Sequence, residues 1–290
     1  MDLVAGVIAN GVLMGAVYAL IAFGLTIIFG VMRVVNFAHG EMVVIGMYAG
    51  YFLWAAFDSH PLAAVLPAAA LLFALGYLLQ FHLVQHFLAR PPHVQFILFI
   101  ALALVITGAH LVAFGPNPRG IFSLASFEVY EIGGLRLDAV RTQAAAAALL
   151  IVGLLWAFLR ASRLGRAIRA AADNRTGAAV VGIRIRHVYA VTAGIGMACA
   201  GAAGALVAPL FDTQPFLAPE FTLIAFITVI LGGIGSLPGA LLGGLLIGVT
   251  EAAAALVLAP SMKSVVSYGL LILVMLARPQ GIIGSPEGQR

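Results

Sequence analysis

The sequence runs to 290 residues, of which 63% are hydrophobic and only 9% charged, where a soluble domain carries roughly 25% charge. Such a composition cannot cover a water-facing surface, so a polytopic membrane protein is expected and a soluble enzyme or binding domain is excluded. The net charge of +4 gathers mostly in one loop and gives no case for nucleic acid, and the single cysteine, Cys199, allows neither an internal disulfide nor a cysteine metal cluster.

Leu3–Val31 is apolar for longer than the roughly 20 residues a span needs, and Arg33 stops it. It is also too long for the apolar core of a cleavable leader. Within it, Gly11 and Gly15 form a small-xxx-small pair suited to close helix contact. A polar interruption follows, Asn36-Phe37-Ala38-His39-Gly40-Glu41, before Met42–Phe57 resumes the apolar run with Gly46 and Gly50 again four apart. After the turn Asp58-Ser59-His60-Pro61, Leu62–Phe81 reads as a third span. Val94–Phe114 is a fourth, beyond the polar patch His82, Gln85, His86 and Arg90. Residues 115–141 mix Arg119, Arg136 and Arg141 with Glu128, Glu131 and Asp138, and show a strand-like alternation over Phe127–Ile132. Balanced charge of this kind marks the outer face of a membrane.

Ala144–Leu159 and Val188–Leu210 are spans on either side of residues 160–187. That loop carries seven arginines (Arg160, Arg163, Arg166, Arg169, Arg175, Arg184 and Arg186) against one acid, Asp173. The positive-inside bias assigns it to the cytoplasm. Inside it, Leu164, Ala167, Ile168 and Ala171 fall at i, i+3, i+4 and i+7, one apolar stripe of a helix, with Arg163, Arg166 and Arg169 off the stripe. Asp173 stands where an N-cap would start a second short helix through Ala178–Val181, and Gly182 could close it. Two readings stay open for this segment: a basic amphipathic helix resting on anionic headgroups, or a docking element for a cytoplasmic partner.

Phe221–Leu231 leads into a Gly-rich break, Gly232–Gly239, and Ala240–Leu258 and Val265–Leu276 bring the count to about nine spans. Counting from the arginine loop places the N-terminus outside and the C-terminus inside. Arg33, Arg90 and Arg278 then fall on the cytoplasmic face, and Asp58, Glu128, Asp212 and Glu220 outside. Met42–Phe57 and Phe221–Leu231 are short, as broken or re-entrant helices would be. Leu20-Ile21-Ala22-Phe23 recurs as Leu223-Ile224-Ala225-Phe226, but four apolar letters recur easily by chance in such a chain.

Few side chains offer chemistry. His82 and His86 at i, i+4 lack the third ligand that a metal site needs. Gly233-x-Gly235 is no dinucleotide fingerprint, because no strand precedes it; Gly232, Gly233 and Gly235 read as a tight turn or helix break. No nucleophile–base set is present. Asn36, His39 and Glu41 either close a turn at headgroup level beside Arg33 or brace a broken helix where a pathway narrows. Glu251 is either a pathway acid or a buried acid bonded to a neighbouring helix; its surroundings of alanines and Thr250 favour the second.

Taken in order, Asn10-Gly11 through Gly50 with the Asn36–Glu41 motif, Gly165-Arg166-Ala167 through Gly182-Ile183, Leu231–Ser236 through Glu251, and the closing Arg278-Pro279-Gln280-Gly281-Ile282 resemble the branched-chain amino acid ABC importer permeases of the LivH type over nearly the whole chain. The resemblance implies an all-α bundle of about eight to nine transmembrane helices with broken or short members, one transmembrane unit over residues 1–290. It also implies a periplasmic loop over 115–141 and a cytoplasmic coupling loop over 160–187. It implies a multi-pass protein of the bacterial inner membrane that moves branched-chain amino acids and catalyses nothing itself. Its partners would be a second homologous permease subunit, two cytoplasmic ATPase subunits, a periplasmic binding protein and the lipid bilayer, with ATP and Mg held by the ATPases and no cofactor on this chain.

Under that resemblance docking overtakes lipid contact for the arginine loop. The ATPase-coupling residues would be Leu164, Gly165, Arg166, Ile168, Arg169, Ala171, Asp173, Ala178, Val181 and Gly182. The pathway or helix-break residues would be Asn36, His39, Glu41, Gly232, Gly233, Gly235 and Glu251. Two departures from the family pattern, Leu88–His93 and the small segment Asn174-Arg175-Thr176-Gly177, leave the ATPase partner and the solute open. Urea, small aromatic acids or sugars are the alternative cargoes, and an ATP-independent channel or carrier is the rival class.

Overall fold

The computed structural model describes residues 2–58, 60–122, 128–132, 135–258 and 262–283. Ser59 of the 58–61 turn and Phe127 at the start of the expected alternation lie outside them. Among the described residues the helices are α1 (Asp2–Met32), α2 (His39–Phe57), α3 (Val65–His82), α4 (Pro92–Phe114), α5 (Ala139–Ala161), α6 (Arg163–Asp173), α7 (Arg175–Val180), α8 (Ile185–Val207), α9 (Ala218–Gly232), α10 (Leu237–Ala254) and α11 (Lys263–Ala277). One hairpin, β1 (Val129–Ile132) antiparallel to β2 (Leu135–Asp138), realises the predicted alternation.

Among the described residues, eight segments are long and apolar enough to cross a membrane: α1, α2, α3, α4, α5, α8, α9 and α10, with short 3-10 turns extending α3 and α9. The apolar part of α11, Val265–Ala277, is shorter. The chain nevertheless returns along α11 to the end of the bundle at which α10 starts. Gly235, just before α10, abuts Gly30 near the end of α1, and Gly248 late in α10 abuts Gly11. After α11 the chain is back beside α9, where the Ile282 N–H donates to the Leu231 carbonyl at 2.8 Å.

The core forms around α8, buried from Val188 to Val207 except at Ala198, and around the Ala16–Ile28 stretch of α1. Both are apolar or small on every face, the signature of a helix with no solvent side. α8 packs against α1, α2, α3, α5 and α6. Small residues permit the close crossings. A Cβ added at Gly15 of α1 would lie 2.7 Å from the Gly244 carbonyl oxygen of α10, and one at Gly46 of α2 would lie 2.8 Å from Gly201 Cα of α8. α4 is the opposite case, with only Phe99 and His110 buried.

The bundle has two distinct ends. At one, the N-terminal part of α1 meets the hairpin: the Asn10 amide donates to the Arg136 carbonyl at 3.3 Å and accepts from Asp138 N–H at 3.3 Å. Arg119 and Thr213 exchange a backbone bridge at this same end. At the other end the arginine segment joins α3, where Arg186 donates to the Phe81 carbonyl at 3.0 Å and His187 meets the Tyr77 hydroxyl at 3.1 Å.

Candidate functional site

The polar interruption does not stay at the bundle end. α1 stops at Met32, Arg33 takes a left-handed φ of 54°, and residues 33–38 turn back among the helices. The His39 ring reaches the Ile21 carbonyl at 3.0 Å. Ile21 lies eleven residues before the end of α1, about 16 Å along the axis at 1.5 Å per residue. α2 therefore begins inside the bundle. Asn36, Ala38, His39 and Glu41 are all buried, which removes the headgroup-level reading for this group.

Local chemistry explains how non-helical backbone survives there, since every polar group away from water needs a partner. Asn36 Oδ1 accepts from Ala38 N–H at 3.0 Å, and Gly40 N–H donates to Thr222 Oγ1 of α9 at 2.9 Å. The Phe37 ring is wedged edge-on against Phe96 of α4 at 4.7 Å and tilted against Phe226 of α9 at 5.0 Å. Gly40 is obligatory at this approach: a Cβ would collide with the Ala218 carbonyl and with Thr222 Oγ1. Since the Ile21 carbonyl can only accept, His39 carries its proton on Nε2. His39 Nδ1 and Glu41 Oε2 are buried with no hydrogen-bond partner among the described residues.

The Gly-rich break behaves differently. α9 ends at Gly232, Gly233 and Gly235 adopt φ of 102° and 82°, and Ser236 caps α10 by accepting from Gly239 N–H at 3.1 Å. Positive φ without a Cβ penalty is what a glycine supplies at such a turn. Gly232, Gly233 and Gly235 thus form a tight turn at the bundle end between two complete spans, not a break at depth. The closing Arg278–Ile283 run has a role here that the sequence did not suggest. Ile282 and Ile283 donate to the carbonyls of Leu231 and Gly232 at 2.8 and 3.1 Å, satisfying the last turn of α9. Glu251 sits apart from both, accepting from Tyr18 of α1 at 3.0 Å and Ser267 of α11 at 3.1 Å. It braces three helices.

The arginine segment folds as α6 and α7. The stripe is real: Gly165, Ile168 and Ala171 are buried, with Leu164 and Ala167 packed on the core. Ser162 caps α6 by accepting from Gly165 N–H at 2.9 Å. The cap of α7 falls one residue later than expected: Asn174, not Asp173, accepts from Gly177 N–H at 2.8 Å, while Asp173 closes α6 and is exposed. Gly182, at φ 88°, ends α7 as expected, with Gly182 N–H on Ala179 and Ile183 N–H on Ala178, both at 3.0 Å.

Two exposed arginines reach back to the end of α5. Arg169 donates to the carbonyls of Leu159 and Arg160, and Arg166 to that of Ala161 at 3.2 Å, so both guanidinium groups cover the C-terminal end of α5. Cations there satisfy orphan carbonyls and oppose the negative end of the helix dipole. Gly165 lets α6 approach the Leu159 backbone directly. Beyond the exposed arginines, the corner at the end of α7 presents apolar side chains outward: Val180 is 81% and Val181 75% exposed, with Gly182 beside them, whereas Ala178 points in.

The sequence carries these features into known company. Residues 7–275 match the family model described as branched-chain amino acid transport system / permease component. The chain is 35% identical to the high-affinity branched-chain amino acid transport system permease protein LivH of Salmonella typhimurium, over 97% of this chain and 96% of that one. Identity to LivH of Escherichia coli is 34%, again over 97% and 96%. To BraD of Pseudomonas aeruginosa, also a high-affinity branched-chain amino acid transport system permease protein, it is 33% over 98% and 96%. The fructose import permease protein FrcC of Rhizobium meliloti is 31% identical, over only 50% of this chain. No solved structure matches.

Proposed function

The chain belongs to the branched-chain amino acid transport system permease family, and from that premise we propose that it is the membrane-spanning subunit of an ATP-driven importer for branched-chain amino acids in the bacterial inner membrane. Its N-terminus lies outside and the arginine-bearing end in the cytoplasm, as the positive-inside bias requires. A second permease subunit, two ATPases that bind ATP and Mg, and a periplasmic binding protein complete the machine. Relatives named for branched-chain amino acids align over nearly the whole chain, and the fructose permease over half; that contrast favours amino acids over sugars.

One observation carries the mechanism: α6 is fastened to the end of α5 through Arg166 and Arg169, while the apolar Val180–Gly182 corner stays uncovered. An ATPase seated on that corner moves a segment already rigid with the bundle. Closure of the ATPases then swings the bundle as a body and switches the pathway between outward and inward openings. The buried start of α2, with His39 and Glu41, is the part of this subunit placed to border that pathway.

Two measurements test the reading. Leucine uptake in cells lacking this chain, with every partner present, should be absent and return on complementation. A cysteine at Val181 should react with a membrane-impermeant maleimide only in inside-out vesicles; reaction in right-side-out vesicles refutes both the orientation and the docking surface.

A further inference from the structure

On the bundle side of α6 lies an open-sided cavity of about 520 Å³, lined by the ends of α1 and α5, by α6, and by the start of α10. Its size is in the range of small-molecule sites. The floor is apolar and buried: Ile27 and Val31 of α1, Leu159 of α5 and Ile168 of α6. Its rim is of another kind. Trp156, 44% exposed, and the exposed Arg160 and Arg169 line it, with the Arg160 guanidinium stacked over the Trp156 ring at 5.2 Å. No described carboxylate pairs with Arg160 or Arg169; the one ion pair among the described residues is Arg136 with Glu131, at the opposite end.

An apolar hole with a cationic rim fits an amphiphile whose head is an anion. Stacking on Trp156 occupies one face of the Arg160 guanidinium and leaves its in-plane N–H groups free to bond. Arg169 uses two donors on the α5 carbonyls and keeps the rest. A partly exposed tryptophan at the end of a span marks the headgroup level. Basic pockets between transmembrane helices at that depth suit anionic headgroups.

The geometry points to a site for one anionic glycerophospholipid of the adjacent leaflet, its phosphate between Arg160 and Arg169 and an acyl chain against Ile27, Val31 and Ile168. Because α6 roofs the cavity, occupancy would stiffen the junction of α5 and α6 from beneath.

The full chain carries two tryptophans, so Trp54→Phe leaves Trp156 as the only tryptophan, read by red-edge excitation that spares the tyrosines. In nanodiscs of unlabelled phosphatidylcholine, acyl-brominated phosphatidylglycerol should quench Trp156 more than brominated phosphatidylcholine at the same mole fraction. Arg160→Gln should reduce that preference about fivefold, the factor a surface arginine contributes toward an anionic lipid. Arg163→Gln, an exposed arginine of α6 that does not line the cavity, should leave it intact. Ala172→Phe, which fills the cavity from α6, should abolish it. Equal quenching by both lipids, or an equal loss in Arg160→Gln and Arg163→Gln, overturns the proposal in favour of general contact with the annulus. Relief of quenching by inorganic phosphate also overturns it, because the site would then take free anions and not a lipid.

Discussion

Replacing Gly40 with alanine tests the seating of α2 inside the bundle. The new methyl would meet the Ala218 carbonyl, whose carbon lies 2.8 Å from the Cβ position, and Thr222 Oγ1. Both sit at the start of α9, and backbone cannot rotate away. Overpacking of this kind costs about 1–3 kcal/mol, and losing the Gly40–Thr222 hydrogen bond about 1 kcal/mol more. Alanine's helix preference returns up to about 1 kcal/mol, for a net loss of about 2 kcal/mol. By soluble-protein scaling that lowers Tm by about 4–8 °C, readable by thermal unfolding of the purified chain. Thr222→Ala removes the bond without the clash and should fall by about half as much. Gly108→Ala, where nothing lies within 4 Å of the added Cβ, is the control and should not fall. If Gly40→Ala melts with Gly108→Ala and supports normal leucine uptake, the start of α2 is not seated on α9, and the account of the interior break is wrong.

Other outcomes follow from the same contacts. Arg166→Gln with Arg169→Gln should cut uptake while the ATPase still co-purifies, whereas Val181→Asp should lose the ATPase. Loss of association in the first variant would make those arginines contact residues and not fasteners. Gly281→Val places a side chain against Gly233 N, 2.6 Å from the Cβ position, in a left-handed conformation. It should free the closing segment and speed hydrogen exchange at the Ile282 and Ile283 amides; unchanged exchange counts against the staple. Glu251→Gln, whose amide oxygen accepts from one of the two hydroxyls and whose NH2 can donate to the oxygen of the other, should retain uptake, and Glu251→Leu should lower thermal stability by about 1–3 kcal/mol per hydroxyl left buried without a partner. Uptake abolished by Glu251→Gln would instead mean that the charge itself matters.

Hydropathy read most of the crossings correctly because span length is set by the bilayer and not by partners. The α6 stripe and the Gly182 closure were legible for a similar reason: both are local patterns, complete within eight residues. Phe221–Leu231 looked short only because Ala218, Pro219 and Glu220 open α9 with ordinary first-turn residues that a hydropathy window discounts. Nothing local, however, says that residues 33–38 turn back to the level of Ile21; that depends on Thr222 and Phe226, nearly two hundred positions away. The bonds of Arg166 and Arg169 to the end of α5 were not legible, because a guanidinium that bonds main-chain carbonyls needs no acidic partner to betray it. The Gly232–Gly235 cluster left a tight turn and a helix break both open, because glycines announce a change of direction and not its location.

α8 emerges straight from the arginine segment and is the most enclosed helix of the bundle. Glycines along it bring it into backbone contact with α1, α2 and α3 at once, so it works as an axle keyed to three neighbours, with α4 left riding on the rim. A twist delivered at Ile183 is shared among those three before any lipid feels it. Second-site revertants of lesions in the arginine segment should accordingly cluster on α1, α2 and α3, hundreds of bases upstream, and spare α4.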